Sequence, residues 1–284
     1  MTDRYAVIGN PISHSKSPQI HKMFAEQTGQ DISYEAILAP LEEGGFKAKI
    51  LQLRDEGYKG CNVTVPFKFE AFQLAMPLSP HAGVAQAVNT LKFDGDTILG
   101  YNTDGMGLVQ DLLHNLSIKL NNKRVLLIGA GGAAEGVALP LGHAGAKLTI
   151  VNRTVDKARA LATRISDNAQ ALVTSHISVK AITSGCGFDE IVGQQFDVVI
   201  NATSTGLSDE MPPLTPGNFA PGALAYDMMY GRETPFMKFA RKHGAAVVAD
   251  GLGMLVEQAA ESFFIWRGVR PKTVPVIAAL RKQQ

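Results

Sequence analysis

Two ionisable residues stand where proton chemistry could be done. Lys68 closes the stretch Asn62-Val-Thr-Val-Pro-Phe-Lys68, in the first turn of an expected helix. An ammonium there opposes the helix macrodipole at a cost of about 0.3–1 kcal/mol. Either the side chain simply reaches water, as exposed lysines do, or the position prepares the amine for proton transfer near neutral pH. Asp104, in Asn102-Thr-Asp-Gly105, has capping of the following helix as its ordinary use. Brought into one cleft, the two would form an ion pair able to hold and relay a proton. Sequence spacing does not establish that proximity.

Two further clusters suit anions. Ser13-His-Ser-Lys-Ser-Pro18 sets three hydroxyls beside a helix start, with Ser17 as N-cap and Pro18 at the first helical position. That makes either a simple cap or a carboxylate or phosphate site. Arg124-Val-Leu-Leu-Ile-Gly-Ala-Gly-Gly-Ala-Ala134 reads as strand, tight turn and helix. Gly129, Gly131 and Ala134 fit the dinucleotide pattern: a turn glycine, a glycine that admits a pyrophosphate, and a small residue for close helix packing. The next strand, Lys147-Leu-Thr-Ile-Val151, ends at Asn152-Arg153-Thr154, with Lys157 one helical turn on. An NAD site usually carries Asp or Glu here for the ribose 2′-hydroxyl. A guanidinium instead pairs with a 2′-phosphate, so the pattern favours NADP; the alternative is a solvated surface arginine.

The elements that must position these groups alternate. Strands are expected at 5–8, 33–38 and 60–65, helices from Ser17 to Gly29, over 42–56 and from Pro66, and a hairpin from Ala87–Phe93 and Thr97–Leu99. The hairpin makes the first sheet mixed. A helix with Met106, Leu108, Val109, Leu112 and Leu113 follows Asp104. Strands are then expected at 124–128, 147–151, 197–201, 223–228 and 245–249. The segment 169–195 is poorly periodic. The stretch 204–222, rich in Pro, Gly, Ser and Thr, reads as a ligand-contacting loop after a buried strand. Met228-Met229-Tyr230, at a strand end, reads more readily as core than as contact. A long apolar helix runs from Asp250-Gly-Leu-Gly253 through Trp266, and a last helix ends at Arg281-Lys282.

The bulk properties exclude several classes. The chain has 284 residues, 45% hydrophobic and 19% charged, with a formal net charge of +1. No global field would gather nucleic acid or an anionic membrane. Cys61 and Cys186 are far apart and suit a reducing compartment. No histidine has metal-ligand spacing, and no apolar run approaches a membrane span. The opening Met1-Thr-Asp-Arg4 lacks a secretory pattern, so a cytoplasmic protein is expected.

Taken in order, the clusters resemble the signatures of the shikimate dehydrogenase family. They are Ser15-Lys-Ser-Pro18, Asn62 to Lys68, Ala87-Val-Asn89-Thr90, Asn102 to Gly105, Gly129 to Ala133, Asn152-Arg-Thr154, Asn201-Ala-Thr-Ser204, and Asp250-Gly-Leu-Gly-Met-Leu255 with Gln258. The resemblance implies reversible NADPH-dependent reduction of 3-dehydroshikimate to shikimate, a step of aromatic amino-acid and chorismate biosynthesis. It implies an α/β protein with a mixed-sheet substrate domain at 1–104 and 256–284. A Rossmann-like parallel-sheet NADP-binding domain is expected at 105–255, with a cleft between the two. By the same resemblance Lys68 and Asp104 are catalytic, and Ser15, Ser17, Thr64, Asn89, Tyr230 and Gln258 bind substrate with them. Cofactor contacts fall on Gly129, Ala130, Gly131, Gly132, Ala133, Asn152, Arg153, Thr154, Lys157, Thr203, Met228, Gly251 and Met254. No metal is implied. The partners are small molecules rather than nucleic acid or membrane, and monomer or homodimer is left open. A quinate/shikimate dehydrogenase with relaxed substrate or cofactor use, and a non-catalytic NADP-sensing protein, are the rival readings.

Overall fold

The computed structural model describes residues 2–171, 183–203 and 210–283. The chain forms two compact units, one of residues 1–107 and 255–284, the other of 108–254.

The first unit is built on a five-stranded sheet ordered β2-β1-β3-β4-β5. Its strands are β1 (Asp3–Gly9), β2 (Ile32–Leu38), β3 (Gly60–Val63), β4 (Thr90–Asp94) and β5 (Thr97–Tyr101). β1 pairs in parallel with β2 and β3, while β3–β4 and β4–β5 are antiparallel. The sheet is therefore mixed, as the hairpin predicts. Tyr5 to Ile8 are all buried in β1, which is why that strand reads as a continuous apolar run rather than an alternation. Helix α1 (Ser17–Thr28) buries Ser17, Ile20, His21 and Phe24, one stripe at helical spacing. Helix α2 (Gly45–Asp55) buries Phe46, Ile50 and Leu53 in the same way. Helices α3 (Lys68–Leu74) and α4 (Pro80–Ala85) are short.

Several boundaries differ from the sequence reading. β3 stops at Val63, two residues early, and α3 starts at Lys68 rather than Pro66; a turn fills the interval, with Phe67 N bonded to the Thr64 carbonyl. β4 starts at Thr90, although Asn89 N still donates to the Tyr101 carbonyl and the Asn89 carbonyl still accepts from Val63 N. Ser17 is not the cap of α1: the flanking residue is Lys16, without a side-chain cap, and Ser15 Oγ instead accepts from Ser17 N at 3.3 Å. Helix α4 lies where no element was read; its N-cap is Ser79, whose hydroxyl accepts from Ala82 N.

The second unit carries a six-stranded parallel sheet. Its strands are β6 (Arg124–Ile128), β7 (Lys147–Val151), β8 (Thr183–Cys186), β9 (Phe196–Asn201), β10 (Phe219–Asp227) and β11 (Val247–Asp250). The order β8-β7-β6-β9-β10-β11 is the doubly wound arrangement that reverses direction beside its first strand, here between β6 and β9. Crossovers are α6 (Gly132–His143), α7 (Val155–Ala171) and α8 (Pro235–Lys242). α5 (Asp104–Gln110) continues as a π-turn over Asp111–Asn115, and α9 (Leu252–Arg267) precedes α10 (Val274–Arg281). Two elements of this unit escaped the sequence reading. β8 lies in the poorly periodic segment 169–195, of which 172–182 is outside the described residues. α8 follows a loop and buries only Phe236, Met237 and Ala240. The 204–222 stretch is not all loop: β10 begins at Phe219 after a 3-10 turn at Pro216–Asn218, and 204–209 lie outside the described residues.

α9 is tied to the first sheet. The Trp266 indole donates to the Leu91 carbonyl at 3.0 Å and its ring stacks on Tyr5 at 4.7 Å. Gly60 makes the room: a Cβ there would fall 2.4 Å from the Leu91 carbonyl oxygen and 2.5 Å from Trp266 Nε1.

Candidate active site

In the first unit the ends of β3, β4 and β5 and the starts of α3 and α5 converge on one polar cluster. Lys68, first residue of α3, donates from Nζ to Asp104 Oδ2 at 2.7 Å. Asp104 opens α5, and its amide is held by Asn102 Oδ1 at 3.1 Å. Its second oxygen accepts from Asn89 Nδ2 at 2.9 Å. Asn89 is buried and acts as the hub. Its Oδ1 accepts from Thr103 N at 2.9 Å and Thr90 Oγ1 at 3.0 Å, and its Nδ2 lies 3.4 Å from Gln258 Oε1. The Asp104 side chain keeps 13% of its surface and Lys68 keeps 29%. The carboxylate is thus committed on both oxygens, while the ammonium retains an open side.

The Asn62 amide closes the network from beneath, donating to the Asn89 carbonyl, Thr90 Oγ1 and Ser262 Oγ at 2.9–3.1 Å. Ser262 belongs to α9, one turn past Gln258, whose carbonyl accepts from Ser262 Oγ at 3.0 Å. Gln258 approaches α5 where that helix has Gly107; a Cβ there would meet the Gln258 amide nitrogen at 2.6 Å. Thr64 packs over Gly9, whose missing Cβ would fall 2.4 Å from Thr64 Cγ2.

Ser15 and Ser17 sit side by side at the start of α1, Ser17 being 7% exposed. Behind them Tyr34 donates from Oη to Asn62 Oδ1 at 2.7 Å. Burial raises the Tyr34 phenol well above its ordinary value, with Ser17 hydrogen bonding opposing it. The His21 ring stacks on Tyr34 at 4.1 Å and 6°. It is wholly buried, neither ring nitrogen has a partner of hydrogen-bond geometry among the described residues, and burial holds its pKa down to about 3 against a smaller opposing effect of Asn62. His21 is therefore neutral and works as a packing ring.

In the second unit the β6–α6 turn lies at the point where the sheet order reverses. Gly129 has φ +111°, and a Cβ there would crowd Thr203 and Ala202 at the end of β9. At Gly131 and Gly132 a Cβ would meet nothing within 4 Å, and α6 has no side-chain cap. The first amides of that helix therefore face open space, as a pyrophosphate requires. A cavity of about 710 Å³ lies over them. It is lined by Gly129 to Ala133, Asn152, Arg153, Ala202, Thr203, Met228 and Met229, and also by Phe188 and Glu210 to Pro213. Arg153 is exposed and forms no ion pair among the described residues. Asn152 Nδ2 is held by the Thr154 carbonyl at 3.0 Å, and Thr203 Oγ1 donates to Asn201 Oδ1 at 2.6 Å. These features fit a phosphorylated dinucleotide.

The family models agree. The one described as shikimate dehydrogenase substrate binding domain matches residues 7–91. That for shikimate / quinate 5-dehydrogenase matches 111–207, and that for the shikimate 5′-dehydrogenase C-terminal domain matches 251–281. The shikimate dehydrogenase (NADP(+)) of Methylobacillus flagellatus is 59% identical over 98% of this chain and 99% of its own length. The chain belongs to the shikimate dehydrogenase family. Among solved structures, an Ael1 enzyme from Pseudomonas putida superposes with TM-score 0.88 at 46% identity, covering 98% of both chains. The shikimate 5-dehydrogenase from Thermus thermophilus, solved with NADP(H) and shikimate, gives 0.83 at 31% identity over the full length of both.

Within this family member, the structure brings Lys68, Asp104, Asn89 and Gln258 into one hydrogen-bonded cluster. Ser15, Ser17 and Thr64 stand at neighbouring strand and helix ends. Tyr230 belongs to the second unit, half-buried beyond β10, its phenol raised by burial. Of the expected cofactor residues, Thr154, Lys157, Gly251 and Met254 do not line the cavity among the described residues. Thr154 and Lys157 are exposed, and Gly251 is pressed against the Met228 carbonyl, 2.2 Å from where a Cβ would sit. Ser204 lies outside the described residues. Met228, Met229 and Tyr230 are half-buried rather than core, and the two methionines line the cavity; β10 ends at Asp227, which caps the turn by accepting from Met229 N at 3.0 Å. The sequence reading missed Phe188 of the cavity and Tyr34 of the first unit; Met211, Pro212 and Pro213 fall in the stretch read as ligand-contacting, though none was singled out, and Asn62 stood in the Lys68 cluster without a role of its own. Asn62 was legible as a polar residue inside a buried strand. Phe188 carried no local signal: it opens a 3-10 turn, Phe188–Ile191, just past β8, and neither element was recognised.

Proposed function

We propose that this chain catalyses the reversible NADPH-dependent reduction of 3-dehydroshikimate to shikimate. The observation that carries the reading is the Lys68–Asp104 pair at 2.7 Å, anchored by Asn89 and open on the lysine side. Bound NADPH supplies the hydride that reaches the ketone carbon. Negative charge then gathers on the ketone oxygen, where the Lys68 ammonium stabilises it and gives up a proton. In oxidation the neutral amine takes the hydroxyl proton back. Asp104 keeps Lys68 aimed and accepts from the neighbouring ring hydroxyl. Ser15, Ser17 and the start of α1 hold the ring carboxylate; Thr64, Asn89, Tyr230 and Gln258 supply the remaining hydrogen bonds.

The β6–α6 turn receives the pyrophosphate of the cofactor. Asn152, Arg153, Thr154 and Lys157 surround the 2′-phosphate, while Thr203, Met228, Gly251 and Met254 belong to the nicotinamide end. The 1–104 and 256–284 segments form the substrate domain and 105–255 the cofactor domain. The pathway is chorismate formation, in the cytoplasm; monomer and homodimer both suit the reading. The deciding experiment follows NADP+ reduction on adding shikimate, beside quinate and beside NAD+. Absence of turnover with shikimate and NADP+ would remove the reading, and equal turnover with quinate would replace it with a broader dehydrogenase.

A further inference from the structure

The last residues of β9 and β10 stand opposite each other, Asn201 beside Asp227. Both are buried, at 1% and 0% exposure. Asp227 Oδ2 accepts from Asn201 Nδ2 at 3.2 Å and from Thr234 Oγ1 at 2.5 Å. Its Oδ1 accepts from Met229 N at 3.0 Å. Asn201 Oδ1 in turn accepts from Thr203 N at 3.2 Å and from Thr203 Oγ1 at 2.6 Å. The Asn201 carbonyl accepts from Met228 N at 3.0 Å. Thr234 is itself fixed, since it caps α8 by accepting from Met237 N at 3.3 Å. All of these residues belong to the second unit.

The network has a direction. A carboxylate offers only acceptors, so Asn201 turns its NH2 toward Asp227 and its oxygen toward Thr203. The Thr203 amide, a donor, needs that oxygen. One buried acid therefore decides which way the neighbouring amide faces, and through it where Thr203 is held. The same acid holds Met229 directly. Burial makes the arrangement strict, because a buried polar group left unpaired is costly. Thr203, Met228 and Met229 are where the network reaches the surface: all three line the cavity over the β6–α6 turn. Thr203 lies against the turn itself, its Cγ2 3.2 Å from where a Cβ on Gly129 would sit.

Along the sheet order β7-β6-β9-β10 the glycine turn after β6 separates two walls of that cavity. Asn152 and Arg153 stand past β7, Thr203 and the two methionines past β9 and β10. With the pyrophosphate on the turn and the 2′-phosphate at Arg153, the other half of the dinucleotide falls on the β9–β10 wall. We propose that Asp227 and Asn201 are positioning residues for the nicotinamide half of NADP(H), holding Thr203 on one strand end and Met228-Met229 on the next as one surface. The inference rests on the proposed function for the assignment of Arg153 to the 2′-phosphate and of this wall to the nicotinamide.

The test compares NADP+ with 2′-phospho-ADP-ribose, the same molecule without its nicotinamide. Affinities are read by titration calorimetry at a temperature where each variant keeps the wild-type circular dichroism. Asp227→Asn sets a second NH2 against that of Asn201, so the Asn201 amide turns over and the Thr203 N–H loses its acceptor. This variant is expected to bind NADP+ roughly three- to thirtyfold more weakly, the effect of one or two lost hydrogen bonds, with 2′-phospho-ADP-ribose changed by less than about twofold. Adding Asn201→Asp again sets a donor against an acceptor and returns an acceptor to Thr203. The double variant is expected to recover most of the NADP+ affinity, a rescue that a loss of bulk stability would not show. Thr203→Val and Thr203→Ser leave the buried pair intact and decide the matter if Asp227→Asn does not fold: Thr203→Val loses the nicotinamide-dependent part of the affinity and Thr203→Ser keeps it. Equal weakening of both ligands, unchanged NADP+ affinity, or a double variant no better than the single one would overturn the proposal. A wild type that binds NADP+ but does not oxidise shikimate would fail the functional reading alone, since both titrations are made without shikimate.

Discussion

Lys68 Nζ and Asp104 Oδ2 lie 2.7 Å apart across 36 positions of chain. The contact follows from sheet pairing. Asn62 stands opposite Thr90, and Thr90 opposite Tyr101. The residues just past β3, just before β4 and just past β5 therefore share one end of the sheet. Asn89, one residue before Thr90, reaches Asp104 from that position at 2.9 Å.

Lys68→Ala is expected to lower kcat by roughly 10²–10⁴, the usual contribution of a positioned proton donor, while changing the KM for shikimate much less. Steady-state kinetics in the oxidative direction read both. A variant with a raised KM and wild-type kcat would make Lys68 a binding residue only.

His21 makes stability depend on pH. Its folded-state pKa is held to about 3, below the ordinary 6.5, by burial. Above pH 6.5 the ring is neutral in both states and its contribution to stability is complete. As pH falls below 6.5 the unfolded chain takes up the proton and the folded protein does not, so stability drops by up to about 1.4 kcal/mol per pH unit toward pH 3. Urea unfolding at pH 7 and pH 5 should differ by about 2 kcal/mol from this group alone. His21→Phe keeps a ring against Tyr34 and should flatten that difference; an equally steep dependence in the variant would assign it to other groups.

The parts legible in the sequence are those whose signal is local. β6 and β7 announce themselves as apolar, β-branched runs meeting glycine or Asn152, because both faces of a central parallel strand are buried. β8 does not. It is an edge strand of Thr183-Ser-Gly-Cys186, and Gly185 is required because a Cβ would fall 2.3 Å from the Ala158 carbonyl of α7. That constraint comes from a helix packed on it, not from its own pattern. The Tyr34–His21 stack was hidden for a similar reason: on α1 a histidine at helical spacing with Ile20 and Phe24 reads as core. Lys68 and Asp104 were visible as chemical types at element ends, but their contact depends on the antiparallel pairings of β3, β4 and β5. The wall formed by Phe188 and Met211 to Pro213 depends on β8 and on a loop without periodicity.

Arg153 should set cofactor preference. It lines the cavity at the end of β7, is exposed, and has no carboxylate partner among the described residues. Arg153→Ala is expected to weaken the preference for NADP+ over NAD+ roughly ten- to a hundredfold, the strength of one or two charge-assisted hydrogen bonds. Comparing kcat/KM for the two cofactors checks it. An unchanged ratio would take Arg153 away from the 2′-phosphate.

Gly107 should be intolerant of even one methyl group. Its absent Cβ would lie 2.6 Å from the Gln258 amide nitrogen and 2.7 Å from Gln258 Cβ. Backbone cannot swing aside as a side-chain tip can, so α5 and α9 must separate. Overpacking of this kind costs about 1–3 kcal/mol. The shift acts on the residue that lies 3.4 Å from Asn89 Nδ2. Gly107→Ala is therefore expected to lower urea stability by that amount and to raise the KM for shikimate severalfold, leaving the KM for NADP+ closer to wild type. Gln258→Ala should reproduce the kinetic change without the full loss of stability, since it removes the polar tip and leaves the helices in place. A Gly107→Ala variant as stable as wild type would show that the two helices have slack the structure does not suggest.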